Sequence, residues 1–302
     1  MKIVDLFAGA GGASTGASLA GAEILLAANH WELAIQYHEK NHPNTIHICQ
    51  DLKQADFTQF PKHDMLWASP SCVGHSKARG KDRPHHDSER ATAWAVIDCV
   101  ECHRPDFAVV ENVVEFADWQ LFPVWKKALR TLGYQVSGHV VNSAHFGVPQ
   151  ARVRMFIVCT KSKNKFRLKN PKKEWITARS IIDWEDGRWN PIYKPNRAQS
   201  TIKQIEKGRE KYGDRFYISF YGSSSGGRDL DQPFGTLTTK ARFALVDGDR
   251  MRMLTKRETM EAMGFPEDYI LPDKGADYNK MIGNAVPPPV AQGIVEQIME
   301  RG

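Results

Sequence analysis

The sequence predicts an α/β protein built on a doubly wound, mostly parallel sheet, followed by a smaller second domain. Short apolar runs alternate with helical patterns through the first 160 residues, which is typical of successive βαβ units. Polar residues follow several of these runs, and open parallel sheets bind ligands beyond the carboxyl ends of their strands. From Lys161 the alternation stops and a basic, strand-poor stretch begins.

The elements follow one another in a regular order. Apolar runs predict strands at KIVDLFA, EILLAAN, HDMLWASP (63–70), DFAVVENV (106–113) and RVRMFIVCT (152–160). Helical spacing predicts helices from the glycines up to Ala20 and at ELAIQYHEKN, DSERATAWAVIDCVECH, FPVWKKALRTLGY and TKRETMEAMGF. The C-terminal GNAVPPPVAQGIVEQIME predicts a proline-stiffened turn that leads into a helix. We assign residues 1–160 plus 275–302 to a first domain and 161–274 to a second.

Length and composition limit the class of protein. The 302 residues suit two domains, and the net charge of +6 permits a polyanionic partner without requiring one. We see no N-terminal signal and no apolar run of about 18 residues. A cytoplasmic protein is therefore expected, with free thiols as the default state of its five cysteines.

The first apolar run ends in a glycine-rich loop, DLFAGAGGASTG. Glycines let a backbone pass close to a ligand, and the helix that follows offers free N–H groups. A full dinucleotide motif would need glycine at position 14, where this chain has Ser14. A nucleoside ligand without phosphates therefore fits as well, and a simple tight turn is the alternative.

Two polar positions follow the next apolar runs. Asn29 stands where a ribose-binding acid usually lies and can still bind hydroxyls, while Glu32 is close enough in sequence to substitute for that acid. Asp51 could accept a hydrogen bond from an adenine amino group. In isolation, however, a helix cap or turn is the favoured interpretation of Asp51.

Cys72 begins a cation-rich segment, CVGHSKARGKDR. A thiol beside cations tends towards the nucleophilic thiolate. Three interpretations stay open at this point: a Cys-His hydrolase, a charged loop with an incidental thiol, or a nucleophile on a loop that contacts phosphates. The third predicts DNA contacts from Ser76, Lys77, Arg79, Lys81 and Arg83.

Two further patterns carry charge at strand positions. Glu111 ends an apolar strand, so burial is expected to raise its pKa and let it donate a hydrogen bond, although a helix cap is the alternative. Arg152 and Arg154 are two apart on a predicted strand and would share one face. Neighbouring guanidinium groups are costly unless they bind an anion or a carboxylate.

Two cysteine- and histidine-rich patterns are not assigned a metal. CVECH (99–103) matches a haem-attachment pattern or half a zinc site, but it lies within a predicted helix, and no second pair at metal spacing follows. RPHHD (83–87) is interpreted as a loop. We therefore predict that the protein holds no metal.

Taken in order, these motifs resemble those of the DNA (cytosine-5) methyltransferase family. The resemblance spans essentially the whole chain, and six motifs in a fixed order are highly specific. The matching segments are DLFAGAGGASTG, PSC, ENV, GVPQARVR, RMLTKRETMEAMGFP and GNAVPPPV, and PFGTLTT resembles an element of target-recognition domains.

The resemblance implies a Rossmann-like fold that binds S-adenosyl-L-methionine, and transfer of a methyl group to C5 of a flipped-out cytosine. It makes Cys72 the nucleophile, Glu111 the hydrogen-bond donor to the ring, Arg154 the residue that orients Glu111, and Arg152 a support for the loop. The cofactor would contact Phe7, Ala8, Gly9, Gly11, Gly12, Asn29, His30, Asp51, Pro70, Asn284 and Val286.

The chain departs from the family pattern at three positions. Ser71 and Val73 replace a proline and a glutamine beside the nucleophile, and Asn29 replaces a ribose-binding glutamate. We expect a looser loop, a lost polar contact near the base, and either weaker ribose binding or a compensating role for Glu32. A tRNA methyltransferase and a non-catalytic DNA-binding relative remain alternatives, although the Cys-Phe-Thr signature of the RNA-acting relative is absent.

The expected partner is double-stranded DNA, with sequence specificity residing in residues 161–250. The segment 221–235 is the predicted reading loop, and Arg228 and Thr236 are predicted DNA contacts. A monomer with no membrane partner is expected, nucleoid-associated when on DNA. The sequence leaves open whether a cognate restriction endonuclease exists.

Overall fold

A seven-stranded sheet forms the larger part of the fold in the computed structural model, which describes residues 1–71, 92–220 and 226–301. The strand order is β3-β2-β1-β4-β5-β7-β6. The first five strands run parallel, and β7 is antiparallel to both of its neighbours. The strands are β1 (Lys2–Leu6), β2 (Glu23–Asn29), β3 (Ile46–Cys49), β4 (Met65–Ala68), β5 (Phe107–Asn112), β6 (Gln135–Asn142) and β7 (Val153–Thr160).

Helices cover both faces of this sheet because alternate strand residues point to opposite sides. Val4 and Leu66 pack against the helices at 92–103 and 122–131, whereas Ile3 and Trp67 pack against the first and last helices. The prediction of a doubly wound, mostly parallel sheet is thus confirmed. The helices are α1 (Gly12–Leu19), α2 (Glu32–Asn41), α3 (Thr92–His103), α4 (Phe122–Thr131), α5 (Gln199–Tyr212), α6 (Lys256–Glu261), α7 (Ala276–Asn284) and α8 (Pro288–Met299).

A second, four-stranded antiparallel sheet follows the basic connector. Its order is β8-β11-β10-β9, and its inner face packs on α5. The sequence did not indicate these strands, and it also did not indicate α5, α7 or β6. The division into residues 1–160 plus 275–302 and 161–274 stays a prediction. The strands are β8 (Asn190–Pro191), β9 (Arg215–Ser219), β10 (Phe243–Asp247) and β11 (Arg250–Met253).

The last helix returns to the first. A Cβ atom at Gly12 would lie 2.0 Å from the Val286 carbonyl oxygen, and one at Gly16 would lie 2.2 Å from that of Pro288. Both glycines of α1 are therefore required by close approach to the C-terminal segment. Within the described residues, no helix combines the length and apolar character needed to cross a membrane.

The predicted CVECH segment forms the last turn of α3 rather than its middle. Cys99 is buried and Cys102 is exposed, and both are free thiols. His103 bonds through Nε2 to the Phe57 carbonyl oxygen at 2.6 Å, so a hydrogen bond to the backbone already occupies this nitrogen. Among the described residues, no three His, Cys, Asp or Glu side chains are grouped to hold a metal ion.

A buried ion pair joins the second sheet to α6. Two nitrogens of Arg252 donate to the two carboxylate oxygens of Glu258, at 2.8 and 2.7 Å. Glu258 also accepts from the Thr255 backbone N–H, while the Thr255 side chain caps the helix in return. Both members of the pair are almost completely excluded from solvent.

Replacing Glu258 with alanine is expected to lower the free energy of unfolding by about 3–5 kcal/mol, because Arg252 would be left as an uncompensated buried charge. Urea unfolding followed by circular dichroism measures the change. The matched control is Glu261→Ala on the same helix, which breaks the exposed pair with Arg257 and should cost less than about 1 kcal/mol. Equal losses in the two variants would contradict the role of burial.

Candidate active site

A single cleft lies at the carboxyl ends of β1, β2, β4 and β5. Parallel strands deliver their carboxyl ends to one sheet edge, so side chains that are distant in sequence meet there. The segment before β7 and the end of α7 complete the walls. The cleft is lined by Phe7, Ala8, Gly9, Ala10, Ala13, Asn29, His30, Trp31, Ser69, Pro70, Ser71, Thr92, Glu111, Val113, Arg152, Arg154, Lys280, Met281, Gly283, Asn284 and Val286.

The glycine-rich loop forms one wall in an unusual backbone conformation. Phe7 has a φ of 61° and Gly9 a φ of 55°, both in the left-handed region. For phenylalanine this conformation is strained, and such strain is concentrated at functional sites. The loop is closed by the Gly11 N–H, which donates to the Ala8 carbonyl oxygen at 2.9 Å. In this conformation Phe7, Ala8 and Gly9 line the cleft.

Gly11 and Gly12 were predicted to contact the cofactor, but neither lines the cleft. The missing Cβ of Gly11 points at the Tyr269 hydroxyl and at His38, and that of Gly12 points at Val286. These two glycines therefore allow close packing behind the loop.

The end of β2 supplies a polar corner of the cleft. Buried Asn29 accepts a hydrogen bond at Oδ1 from the Trp31 N–H at 2.9 Å, which leaves its N–H₂ group as the part suited to a ligand hydroxyl. His30 and Trp31 also line the cleft, and the Lys280 ammonium lies 4.1 Å from the centre of the Trp31 ring. Glu32 is exposed and outside the lining, so no acid among the described residues lines this corner of the cleft.

Asp51 lies outside the cleft lining as well. Its carboxylate accepts from the Lys53 N–H at 3.1 Å and caps the short helix Leu52–Gln54. It also pairs with the Lys53 ammonium at 3.5 Å. The capping interpretation thus describes its contacts in this structure.

Glu111 and Arg154 form an ion pair in the cleft. The Arg154 Nε lies 3.4 Å from Glu111 Oε1, and the Arg154 Nη1 donates to the Val153 carbonyl oxygen at 2.8 Å. Burial raises the pKa of Glu111, and the neighbouring charges of Arg154 and Arg152 partly offset that rise. A buried carboxyl of this kind can hold a proton and donate it in a hydrogen bond.

Arg152 lies just before β7, not within it as the sequence predicted, because the strand begins at Val153. Its guanidinium donates to the carbonyl oxygens of Leu237, at 3.1 Å, and Gly283, at 2.8 Å. This buried side chain therefore connects the sheet edge to the segment 234–237 and to α7. Its contacts are those of a support rather than of a reacting group.

Sequence reasoning missed Gln150, which precedes these arginines. Its carboxamide accepts from the Leu237 N–H at 2.8 Å and donates to the Ala262 carbonyl oxygen at 3.0 Å. A glutamine that is fully buried needs such partners. The Gln-x-Arg-x-Arg spacing was the signal that could have identified Gln150 as a site residue. Arg152 and Arg154 line the cleft, and buried Gln150 holds its wall.

The two residues before the predicted nucleophile are each held by a hydrogen bond. Asn112, at the end of β5, donates from Nδ2 to the Pro70 carbonyl oxygen at 3.2 Å. The Ser71 N–H donates to the Thr92 hydroxyl at 3.2 Å. Cys72 and the predicted DNA contacts Ser76, Lys77, Arg79, Lys81 and Arg83 lie outside the described residues.

The two remaining predicted DNA contacts make hydrogen bonds within the protein. Arg228 exchanges both backbone hydrogen bonds with Tyr217, at 2.7 and 3.2 Å, and its guanidinium partly offsets the rise that burial causes in the pKa of the Tyr217 phenol. The Thr236 hydroxyl donates to the Ala151 carbonyl oxygen at 3.2 Å. Neither side chain lines the cleft.

Comparison with known proteins decides the family. The profile of the C-5 cytosine-specific DNA methylases matches residues 1–300. The chain belongs to this family. It is 29% identical to the Type II methyltransferase M.MthTI of Methanothermobacter thermautotrophicus over 99% of this chain and 97% of that protein. It is 26% identical to M.HhaI of Haemophilus parahaemolyticus, covering 99% and 94%.

Solved structures show the same fold. A crystal structure of the S. pombe Dnmt2 methyltransferase superposes with a TM-score of 0.69 at 18% identity, covering 100% of this methylase-family chain and 98% of that one. This likeness concerns the fold, whereas the family assignment rests on the sequence profile.

Proposed function

We propose that the protein is an S-adenosylmethionine-dependent DNA (cytosine-5) methyltransferase that acts through a covalent enzyme–base intermediate. The observation that carries the proposal is the ion pair between buried Glu111 and partly exposed Arg154, which faces the same cleft as the glycine-rich loop. Family membership supplies the reaction class, and the pair supplies a proton donor for the ring.

The cleft has features that fit the cofactor. Phe7 and Trp31 provide aromatic surface for an adenine ring, and the Asn29 carboxamide is placed for a ribose hydroxyl. The Ala8–Ala10 backbone, Pro70, Asn284 and Val286 complete the enclosure. When bound, S-adenosylmethionine supplies an electrophilic methyl group on its sulfonium sulfur.

Cys72 is the proposed nucleophile. C5 of cytosine reacts poorly while its electrons are held in the aromatic ring. Addition of the Cys72 thiolate to C6 forms a C–S bond and pushes an electron pair through the ring towards N3, which makes C5 enamine-like. A stacked base is out of reach, so the cytosine must leave the duplex.

Glu111 is the proposed donor to the cytosine ring. Its protonated carboxyl would deliver a hydrogen bond or a proton to N3 as the Cys72 thiolate adds. Arg154 would orient that carboxyl and bind the O2 oxygen, while Arg152 would hold the wall of the cleft through Leu237 and Gly283. The pair is suited to this role because burial keeps the Glu111 carboxyl protonated at a higher pH than an exposed carboxyl.

The reaction closes by elimination. Once C5 carries the methyl group, a base removes the C5 proton, and the released electron pair re-forms the C5–C6 double bond. The C6–S bond breaks at the same time, Cys72 leaves as the thiolate, and a proton that N3 received from Glu111 returns to that carboxylate. No residue of the protein is consumed, so the cycle can repeat.

Duplex DNA is the proposed substrate, and a monomer is the proposed form that binds it. The cations that follow Cys72 in the sequence would contact phosphates, and residues 161–250 would read the bases. The Type II name of the curated relatives supports a place in a restriction-modification pair. A restriction endonuclease of the same specificity would then be its functional counterpart.

Methyl transfer from a tritium-labelled donor tests the substrate. The purified protein is incubated separately with duplex DNA and with tRNA, and the products are digested to nucleosides. We expect labelled 5-methylcytosine from DNA and none from tRNA. Label on tRNA alone would identify an RNA enzyme, and no label on either would point to a non-catalytic protein.

A further inference from the structure

A buried chain of hydrogen bonds lies behind the glycine-rich loop. The Ser14 hydroxyl, on α1, donates to Asp5 Oδ2, on β1, at 2.7 Å. His38, on α2, bonds through Nε2 to the same hydroxyl at 3.0 Å and through Nδ1 to Nε2 of His47, on β3, at 2.8 Å. None of these four side chains lines the cleft, so the proposed reaction does not use them directly.

These contacts define one consistent arrangement of protons along the chain. With Asp5 ionised, the Ser14 hydroxyl donates to its carboxylate, and the matching tautomer of His38 carries its proton on Nε2 and donates it to Ser14 Oγ. His38 Nδ1 is then the acceptor for the N–H of His47. Burial and the nearby His42 and His47 hold the pKa of His38 well below its usual value, which keeps the imidazole neutral as this pattern requires.

Burying this chain of hydrogen-bonded polar side chains in the core costs free energy. Asp5 is buried, its second carboxylate oxygen has no hydrogen-bond partner, and burial raises its pKa to about 7 despite the bond from Ser14. Apolar residues at these positions would avoid that cost. Retention of such a polar chain therefore calls for a function.

His38 of this hydrogen-bonded chain lies behind the loop together with Tyr269 and Thr15. A Cβ at Gly11 would meet the Tyr269 hydroxyl at 2.4 Å and the His38 ring at 3.0 Å. The Tyr269 hydroxyl donates to the Ala10 carbonyl oxygen at 2.6 Å, and the Thr15 hydroxyl donates to that of Gly11 at 2.8 Å. The loop peptides thus lie between the cleft and this polar layer.

We propose that Asp5, Ser14 and His38 are positioning residues that hold the loop Phe7–Gly11 in the shape that receives the cofactor. The Asp5–Ser14 bond ties the end of β1 to the start of α1 across the base of the loop, and His38 braces the Gly11 peptide. The inference rests on the proposed function, because it takes the ligand of the loop to be S-adenosylmethionine.

Ser14→Ala tests the inference with little change in volume. It leaves Asp5 and His38 without their shared partner, and we expect the Kd for S-adenosylhomocysteine, measured by calorimetry, to rise about 10-fold. The KM for S-adenosylmethionine should rise by a similar factor while kcat at saturation stays within about 2-fold, since no reacting group has changed.

The matched control is Ser137→Ala on β6. Ser137 also bonds a histidine, His139, at 3.0 Å, but it lies away from the cleft lining. This variant should keep the wild-type Kd even if it loses similar thermal stability. An unchanged Kd in Ser14→Ala, or an equal rise in both variants, would overturn the inference.

A second pair of variants covers the case in which Ser14→Ala does not fold. His38→Gln keeps an N–H donor for Ser14, whereas His38→Leu has none, so the leucine variant should bind S-adenosylhomocysteine several-fold more weakly. Equal affinities would overturn the inference. If the wild-type protein itself fails to bind S-adenosylhomocysteine, the proposed function fails instead, which separates the two outcomes.

Discussion

Replacing Cys72 with alanine is expected to abolish methyl transfer to duplex DNA, with a loss of more than about 10³-fold in kcat. Without the thiolate, C6 of cytosine has no nucleophile and C5 stays unreactive. Binding of S-adenosylhomocysteine should be unchanged, because the residues that enclose the cofactor in the proposal are all retained. Filter-binding assays with labelled donor measure the first quantity and calorimetry the second.

The control for this variant is Cys49→Ala, which removes an exposed free thiol at the end of β3. It should keep full activity and should still be trapped covalently on duplex DNA that contains 5-fluorocytosine. Cys72→Ala should form no such adduct. Methyl transfer or trapping that survives in Cys72→Ala would show that another group is the nucleophile.

Exchange of Glu111 for glutamine is expected to slow methyl transfer by about 10²–10⁴-fold. Glutamine has nearly the same shape but has no carboxyl proton to give, and it leaves Arg154 without its carboxylate partner. Single-turnover rates on duplex DNA measure the effect. Glu101→Gln, an exposed change on α3, is the control and should leave the rate unaltered.

The pH dependence of the methyl-transfer rate distinguishes loss of the Glu111 carboxyl proton from a change in the shape of the site. Burial raises the pKa of Glu111, so the protonated donor persists at higher pH than for an exposed carboxyl and is lost as pH rises through that pKa. The wild-type rate should therefore contain a decline with rising pH that Glu111→Gln lacks. Identical pH dependence in both proteins would assign the donor to another group.

The central strands could be predicted because they are continuous apolar runs. β1 and β4 are buried on both faces, and such strands leave a clear signal in the sequence. β6, at the sheet edge, has only two buried residues, Val136 and Val141, and includes Gly138 and His139, so it carries a weaker signal. The strands of the second sheet are short and partly charged, and β11 reads Arg-Met-Arg-Met.

The cleft could be predicted only in part, for a similar reason. Asn29, Glu111 and the loop at Phe7 follow parallel strands, and parallel strands bring their ends to one edge. Gly11 and Gly12 have partners, Tyr269 and Val286, that come from the opposite end of the chain. Such contacts leave no local pattern, so this packing of the two glycines could not be predicted from the sequence.

The packing of α8 on α1 has a consequence for biosynthesis. Gly12 and Gly16 near the beginning of the chain contact Val286 and Pro288 near its end. Part of one face of the central sheet therefore stays uncovered on the ribosome until α8 has been synthesised, and contacts of such long sequence separation form slowly. A nascent chain that lacks α8 would expose this apolar surface, and we expect chaperones to bind it at that stage.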